Sequence, residues 1–376
     1  MDNRRKGPSC FGAILVFCAI VVILKFAYSV KPEEVVSHDP YESAEELYDI
    51  ILEELAGYST ELTFDFDCVD RLYDTFDRVR HDHPELFWVR GSGHYKMMTE
   101  GEKVSVVFEI NNDMTLVDIL KCQNELNRVK HEILSSMDES LTDYEKLLYI
   151  HDYIVKNTEY DSETADKIIE GDSADENWLS RTAYGCLVNR SAVCSGYAAA
   201  FQLLTKELGF DCIRVTGLEK ESGVGHEWNC IRYGEKWYYV DVTWDDPVYK
   251  SENSYFDDSI PYEYFMISEE MLTVTHEIDE GQSVPICGDE TMNYYRRFGR
   301  YLEDYSYEET VEVLRRQLDR DVMEIMYGST EIASRAVQDL FEEYRFYEME
   351  EIASLGKISL SYIPGKNGLV RIKIIE

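Results

Sequence analysis

Apolar and polar residues alternate along this chain with two different periods, and the periods divide it into helices and strands. Tyr41 to Ala56 places Leu47, Ile50, Ile51 and Leu55 at helical spacing, the mark of a helix with one buried face. Val69 to Val79 predicts a second helix, closed by Pro84. Leu86 to Met98 and Lys103 to Ile110 read as strands, the second alternating through Val104, Val106 and Phe108. Leu116 to Leu134 is helical again. A helix over 140–160 opens with Thr142 and Glu145, the spacing of a capping box, and sets Leu147, Ile150, His151 and Ile154 on one face. The stretch 161–180 is acidic and irregular. A helix then begins at Cys194, with Tyr197, Phe201, Leu204 and Leu208 on its apolar stripe and Gly209 where a C′ glycine ends a helix.

Ile213 to Leu218 predicts a strand, and a hairpin follows. His226 to Arg232 is one arm, Tyr233-Gly234-Glu235-Lys236 the turn, and Trp237 to Trp244 the other arm. Beyond about residue 290 the pattern predicts a small α+β module. Its helices are Asn293–Leu302, Tyr307–Leu318 and Ser329–Tyr344. Its strands are Val322–Tyr327 and the pair Ile358–Ile363 and Leu369–Ile375 around Pro364-Gly365-Lys366-Asn367. The fold class is α+β, with a small N-terminal region (40–135), a central region (140–280) and the C-terminal module (290–376).

Chemistry concentrates in the central region. A cysteine at a helix start faces unpaired N–H groups and the positive end of the helix dipole, which favour the thiolate over a thiol of pKa ~8.5. If Gly234 and Glu235 form a two-residue turn, Tyr233 opposes Lys236, Trp228 opposes Asp241 and His226 opposes Thr243. His226 and Asp241 are then diagonal neighbours on one sheet face, within reach of an imidazole–carboxylate hydrogen bond. That arrangement suits thiol catalysis: His226 takes the Cys194 proton and Asp241 orients the ring. The Cys194 backbone N–H offers one oxyanion donor, and Tyr184 and Trp228 are candidates for the second. Other residues have plainer readings. His151 is a core histidine, the tryptophans of the hairpin pack a core, and Asp245-Asp246-Pro247 caps a turn. His81, His83 and His94 are surface or structural. No Cys/His set has zinc-site spacing, so no metal or other cofactor is expected.

These residues resemble the transglutaminase-like superfamily, which shares the papain-type fold. The resemblance rests on Ala192-Val193-Cys194-Ser195-Gly196-Tyr197 with Gly217 downstream, on His226-Glu227-Trp228-Asn229, and on Trp237-Tyr238-Tyr239-Val240-Asp241-Val242-Thr243-Trp244-Asp245-Asp246-Pro247. It covers roughly 140–280. It implies a core in which the nucleophile helix packs on an antiparallel sheet, with Cys194 as nucleophile, His226 as base and Asp241 as orienting acid. Glu227 departs from the family, which often has a small residue there. No motif of the calcium-dependent animal enzymes is present.

The N-terminus adds a location. Arg4-Arg5-Lys6 precedes an uncharged apolar run from Gly7 to Leu24, close to the ~20 residues that span a bilayer. Basic residues before it and acidic ones after it place the N-terminus in the cytoplasm and the bulk outside. A cleavable signal peptide ending near Ala27-Tyr28-Ser29 is the competing reading. The resemblance therefore implies a bacterial-type member held by a single-pass anchor. A formal charge of −37 excludes nucleic acid as a partner. The expected substrate is a protein or peptide, cell-wall peptide included, opened by a cysteine peptidase or a transglutaminase-like acyltransferase. A non-catalytic binding or scaffold protein at the cell surface is the alternative.

Overall fold

A computed structural model of the chain describes residues 44–376, apart from 66–68, 92, 101–102, 111, 113, 172–173, 248–254, 257–258, 357 and 376. The expected membrane anchor and signal-peptide site lie outside the described residues. Ser43–Glu376 form one compact unit. Among the described residues no helix is long and apolar enough to cross a membrane.

In chain order the N-terminal elements are α1 (Ala44–Ala56), β1 (Glu61–Asp65), α2 (Val69–Asp82), β2 (Gly93–Glu100), β3 (Lys103–Ile110) and α3 (Leu116–Ser135). The strands form an antiparallel sheet in the order β1-β3-β2. Helices α1 and α2 bury Leu47, Ile51, Leu55, Leu72 and Phe76 around it. The extended reading of Leu86–Met98 needs correction. Residues 86–90 are a run of turns holding Trp88 in the core, and the strand begins only at Gly93. A continuous apolar run fits a buried loop as well as a strand.

The central region runs α4 (Asp143–Asn157), β4 (Glu159–Tyr160), α5 (Ser162–Glu170), β5 (Ser191–Ala192), α6 (Cys194–Glu207), β6 (Cys212–Glu219), β7 (Gly225–Tyr233), β8 (Lys236–Val240), β9 (Phe265–Ile267), α7 (Glu269–Leu272) and β10 (His276–Ile278). The Thr142–Glu145 capping box forms as the spacing predicts. The irregular reading of 161–180 is corrected by α5, which Asp161 caps through the Thr164 N–H. Five strands make an antiparallel sheet in the order β10-β6-β7-β8-β9. Helix α6 packs on it, with Tyr197, Phe201 and Leu204 wholly buried. Gly209, at φ 86°, closes α6 as expected.

The C-terminal module comprises α8 (Tyr294–Arg297), β11 (Tyr301–Leu302), α9 (Tyr307–Arg315), β12 (Met323–Tyr327), α10 (Thr330–Val337), α11 (Glu350–Ser354), β13 (Ser359–Pro364) and β14 (Leu369–Ile375). The helix expected over Asn293–Leu302 is a single turn. Gly299, at φ 65°, breaks it, and Tyr301–Leu302 pair in parallel with β12. The module packs Leu314, Ile325, Leu340, Phe346, Val370 and Ile372 into its own core. It is tied to the central region by polar contacts: Arg371 donates to the Ser259 carbonyl at 2.8 Å, and the Asn367 N–H donates to Glu263 at 2.5 Å.

Candidate active site

Cys194 is the first residue of α6. Val193 precedes it as N-cap with extended backbone and no side-chain cap, so the helix start presents its N–H groups to whatever lies in front. Gly196 makes the close approach possible: a Cβ there would stand 2.5 Å from the Ser180 carbonyl oxygen and 2.8 Å from the Ala192 Cβ. The glycine of the cysteine block is thus a packing requirement. Gly217 is another, because a Cβ would collide with the Glu277 carbonyl and the Trp228 ring.

The two-residue turn forms, with Tyr233 opposite Lys236 and pairing that runs to Asn229 opposite Val240. There the ladder stops. The chain turns at once, with the Asp245 N–H on the Asp241 carbonyl and the Asp246 N–H on that of Thr243. His226 therefore does not oppose Thr243 in a strand. The parity survives one residue beyond β8, enough to put Asp241 Oδ2 2.6 Å from His226 Nε2. Cys194 lies close enough to act on the His226 imidazole. Both border the same two adjoining clefts, and Asp241 is buried beside His226.

Asp241 is 1% exposed. Its Oδ1 accepts the N–H groups of Thr243 (3.0 Å) and Trp244 (3.1 Å), and its Oδ2 accepts from His226 and from His276 Nε2 at 3.1 Å. Burial alone would raise the carboxyl, but the two imidazoles hold it well below the usual carboxylate range. For His226, burial works against the charged ring. The charge and hydrogen bond of Asp241, then Cys194, outweigh it and raise the imidazole well above its ordinary value. An imidazolium is therefore favoured beside the thiol, as a thiolate–imidazolium pair requires.

One cleft, of about 510 Å³, is bordered by Cys194, His226, Tyr160, Trp244, Glu263 and the tip of the β13–β14 hairpin. The other, of about 340 Å³, shares Cys194, His226 and Tyr160 and continues over Ile168, Val193 and Leu218. Tyr160 was not anticipated. It borders both clefts because β4 pairs in parallel with β5, setting Tyr160 beside Ala192, two residues before the cysteine. Burial, then the nearby Cys194 and Asp241, push its phenol up to about 12. It is a proton-bearing donor at neutral pH. Only the pairing of β4 with β5, across the intervening helix and loop, could have revealed it.

Neither side-chain oxyanion candidate faces these clefts. Tyr184 stacks on Phe87 at 5.0 Å and donates its hydroxyl to Glu125 at 2.8 Å, on the side of the N-terminal region. Trp228 is 1% exposed and lies parallel to the His226 ring at 5.9 Å, so it supports the imidazole from behind. The core reading of His151 fits the geometry. Trp237 and Trp244, however, are only half-buried, with Trp244 on the larger cleft, and Asp241 rather than Asp245 takes the turn N–H groups. His151 is wholly buried, 3.1 Å from Asp245 Oδ2. Asp245 Oδ1 also accepts the Tyr264 N–H, and Asp246 accepts the Tyr197 hydroxyl at 2.7 Å. Glu227 forms an ion pair with Arg214 at 3.0 Å, and Arg214 in turn donates to the carbonyls of Arg80 and His81. The unusual residue thus joins the central sheet to the N-terminal region. His81 and His83 bond to Asp77 and Glu85 respectively.

Among the described residues, His226, Asp241 and His276 are the one group of three whose ligand-type atoms cluster, all within 4.8 Å. Their separations of 2.6 and 3.1 Å are those of imidazole N–H groups donating to one carboxylate oxygen.

Residues 132–242 match the family model of the transglutaminase-like superfamily. Over that segment the chain is similar to the transglutaminase-like superfamily. It is 26% identical over 137 residues to the kyphoscoliosis peptidase of Mus musculus, covering 34% of this chain and 20% of that protein. The chain thus spans only a fifth of that relative. Among solved structures it is similar to a TGase at 16% identity, covering 42% of this chain and 45% of the other, with a TM-score of 0.31. A proposed cysteine protease from Cytophaga hutchinsonii is also 16% identical, with coverage of 40% and 62% and a TM-score of 0.22. The matched segment ends one residue after Asp241, so it takes in Cys194, His226 and Asp241.

Proposed function

We propose that this protein is a thiol enzyme that opens an amide through an acyl-enzyme on Cys194. The observation that carries the reading is the grouping of thiol, imidazole and carboxylate. Asp241 holds His226 through Nε2 at 2.6 Å, and His226 borders the same two clefts as Cys194. In the reaction His226 takes the thiol proton and the thiolate attacks the amide carbon, forming a C–S bond. The tetrahedral oxyanion receives the Cys194 N–H and the Tyr160 hydroxyl. The C–N bond then breaks, and the imidazolium returns its proton to the leaving amine. Water or a second amine resolves the thioester, giving hydrolysis or acyl transfer. The apolar run Gly7–Leu24 supports a membrane anchor with the enzyme outside the cell, and the substrate class that fits is a protein or peptide.

The test is alkylation of the full-length chain by iodoacetamide from pH 4 to 10, read at Cys194 by peptide mass spectrometry. The expected result is labelling well below pH 8 that disappears in His226→Ala. Labelling that follows an ordinary thiol near pH 8.5 and ignores that substitution would leave a binding scaffold instead. A membrane-impermeant iodoacetamide applied to intact cells reads the side of the membrane. Amine incorporation into casein, set against peptide release, separates transfer from hydrolysis.

A further inference from the structure

His276 has no part in the steps above, yet it is wholly buried and shares an oxygen with the base. Its Nε2 lies 3.1 Å from Asp241 Oδ2, which His226 Nε2 meets at 2.6 Å. We infer that His276 is a positioning residue that takes part of the Asp241 charge and so sets how tightly His226 holds its proton. The inference rests on the thiol-enzyme reading.

An ionised carboxylate can only accept, so both Nε2 atoms carry protons. His276 Nδ1 stands 2.8 Å from Thr275 Oγ1, which stands 3.2 Å from the Tyr264 hydroxyl. His276 Nε2–H donates to Asp241, and Thr275 holds the ring from its Nδ1 side. The two contacts fix the orientation of the ring. With Thr243 and Trp244 on Oδ1, the carboxylate then has four donors. Each donor reduces what the oxygen gives the others. With His276 absent, Asp241 would lean on His226 alone, and the imidazolium would become a poorer acid toward the leaving amine.

The surroundings leave few other influences. The titratable groups around His276 are Asp241, His226 and Tyr264, and Trp228 and Trp244 pack against its ring. Glu219 is its register partner on β6, Asp245 lies behind Asp241 through a backbone bond, and Cys194 lies beyond His226. Sequence reasoning missed His276 because it sits on β10, joined to the β7–β8 hairpin only through β6.

The test is a titration of the full-length chain labelled with ¹⁵N-histidine. Ring correlations are followed by NMR, with the His226 signal assigned by its loss in His226→Gln. His276→Ala should raise the His226 midpoint by at least about half a pH unit, roughly threefold in proton affinity. His276→Gln, whose amide N–H can reach the same oxygen, should return most of that shift. A midpoint unmoved in His276→Ala overturns the inference, as does one that moves equally far in His276→Gln. If the alanine variant does not fold, Thr275→Val serves in its place. Freeing Nδ1 should raise the midpoint by a smaller step, and no movement overturns the role. Cys194 labelling that ignores His226 would sink the thiol-enzyme reading itself. An unmoved midpoint with that labelling intact would sink the role of His276 alone.

Discussion

The loop after β8 carries two aspartates four residues apart, each bonded to a histidine, and the two pairs have different surroundings. Asp241 and His226 meet at 2.6 Å, Asp245 and His151 at 3.1 Å. Both carboxylates are at most 1% exposed. The difference lies on the far side of each imidazole. His226 opens onto two clefts and a thiol, whereas His151 is closed in by the rings of Tyr262 and Phe265 and by Asp152. An imidazole–carboxylate pair is therefore not in itself a mark of catalysis. What the second nitrogen meets, and whether a substrate can reach it, decides between a working pair and a structural one.

The largest expected effect separates the two pairs directly. Asp241→Asn should lower turnover of an amide substrate by about 10³- to 10⁴-fold with little loss of fold, by analogy with removal of the orienting carboxylate in serine enzymes. Asp245→Ala should do the reverse, leaving His151 and the Tyr264 N–H unpaired inside the core at a cost of about 3–5 kcal/mol in unfolding free energy. Equal losses of activity per folded molecule in both variants would erase the distinction. Next comes the equipment around the open pair. Tyr160→Phe should cost on the order of 10²-fold in kcat while leaving iodoacetamide labelling of Cys194 unchanged, since alkylation forms no oxyanion. A parallel fall in labelling would make Tyr160 a support for the thiol instead.

The smallest effect concerns pH. Burial opposes charge on His151, but the Asp152 carboxylate 3.6 Å away and the hydrogen bond to Asp245 raise it to about 9. A histidine raised on folding stabilises the protein fully below its unfolded pKa of about 6.5, and that contribution is lost as pH rises through about 9. His226, raised in the same direction, adds to the alkaline loss. Asp241, held low, contributes stability above about pH 4 that is lost on acidification. Chemical unfolding at pH 6.5 and 9.5 should therefore show a decline that shrinks by up to about 3 kcal/mol in His151→Gln. An unchanged decline would mean that His151 is neutral in the folded protein.

The site was legible in the sequence where local rules reach. A cysteine at a helix start and a glycine-containing two-residue turn each act over a few residues, and together they were enough to set His226 beside Asp241. Tyr160 and His276 were not legible. Each arrives through pairing between segments distant in sequence, and neither Glu159-Tyr160 nor Thr275-His276 carries a local pattern of its own. Tyr184 failed for the opposite reason: its nearness in sequence to Cys194 suggested a role, but its ring packs toward the N-terminal region. The misread helix over Asn293–Leu302 shows the same competition, since β12 recruits Tyr301–Leu302 just past Gly299.

The hairpin tip docked on Glu263 has a bearing on how such a protein can be shortened or exchanged. The segment that matches the family model, 132–242, stops before Asp245, the β9 and β10 strands and the Pro364–Lys366 tip that walls the larger cleft. A transplant cut at those limits would carry Cys194, His226 and Asp241 but leave behind the strand that bears His276 and one wall of the cleft. The compact unit is the whole of Ser43–Glu376, and its C-terminal hairpin walls the cleft that holds Cys194.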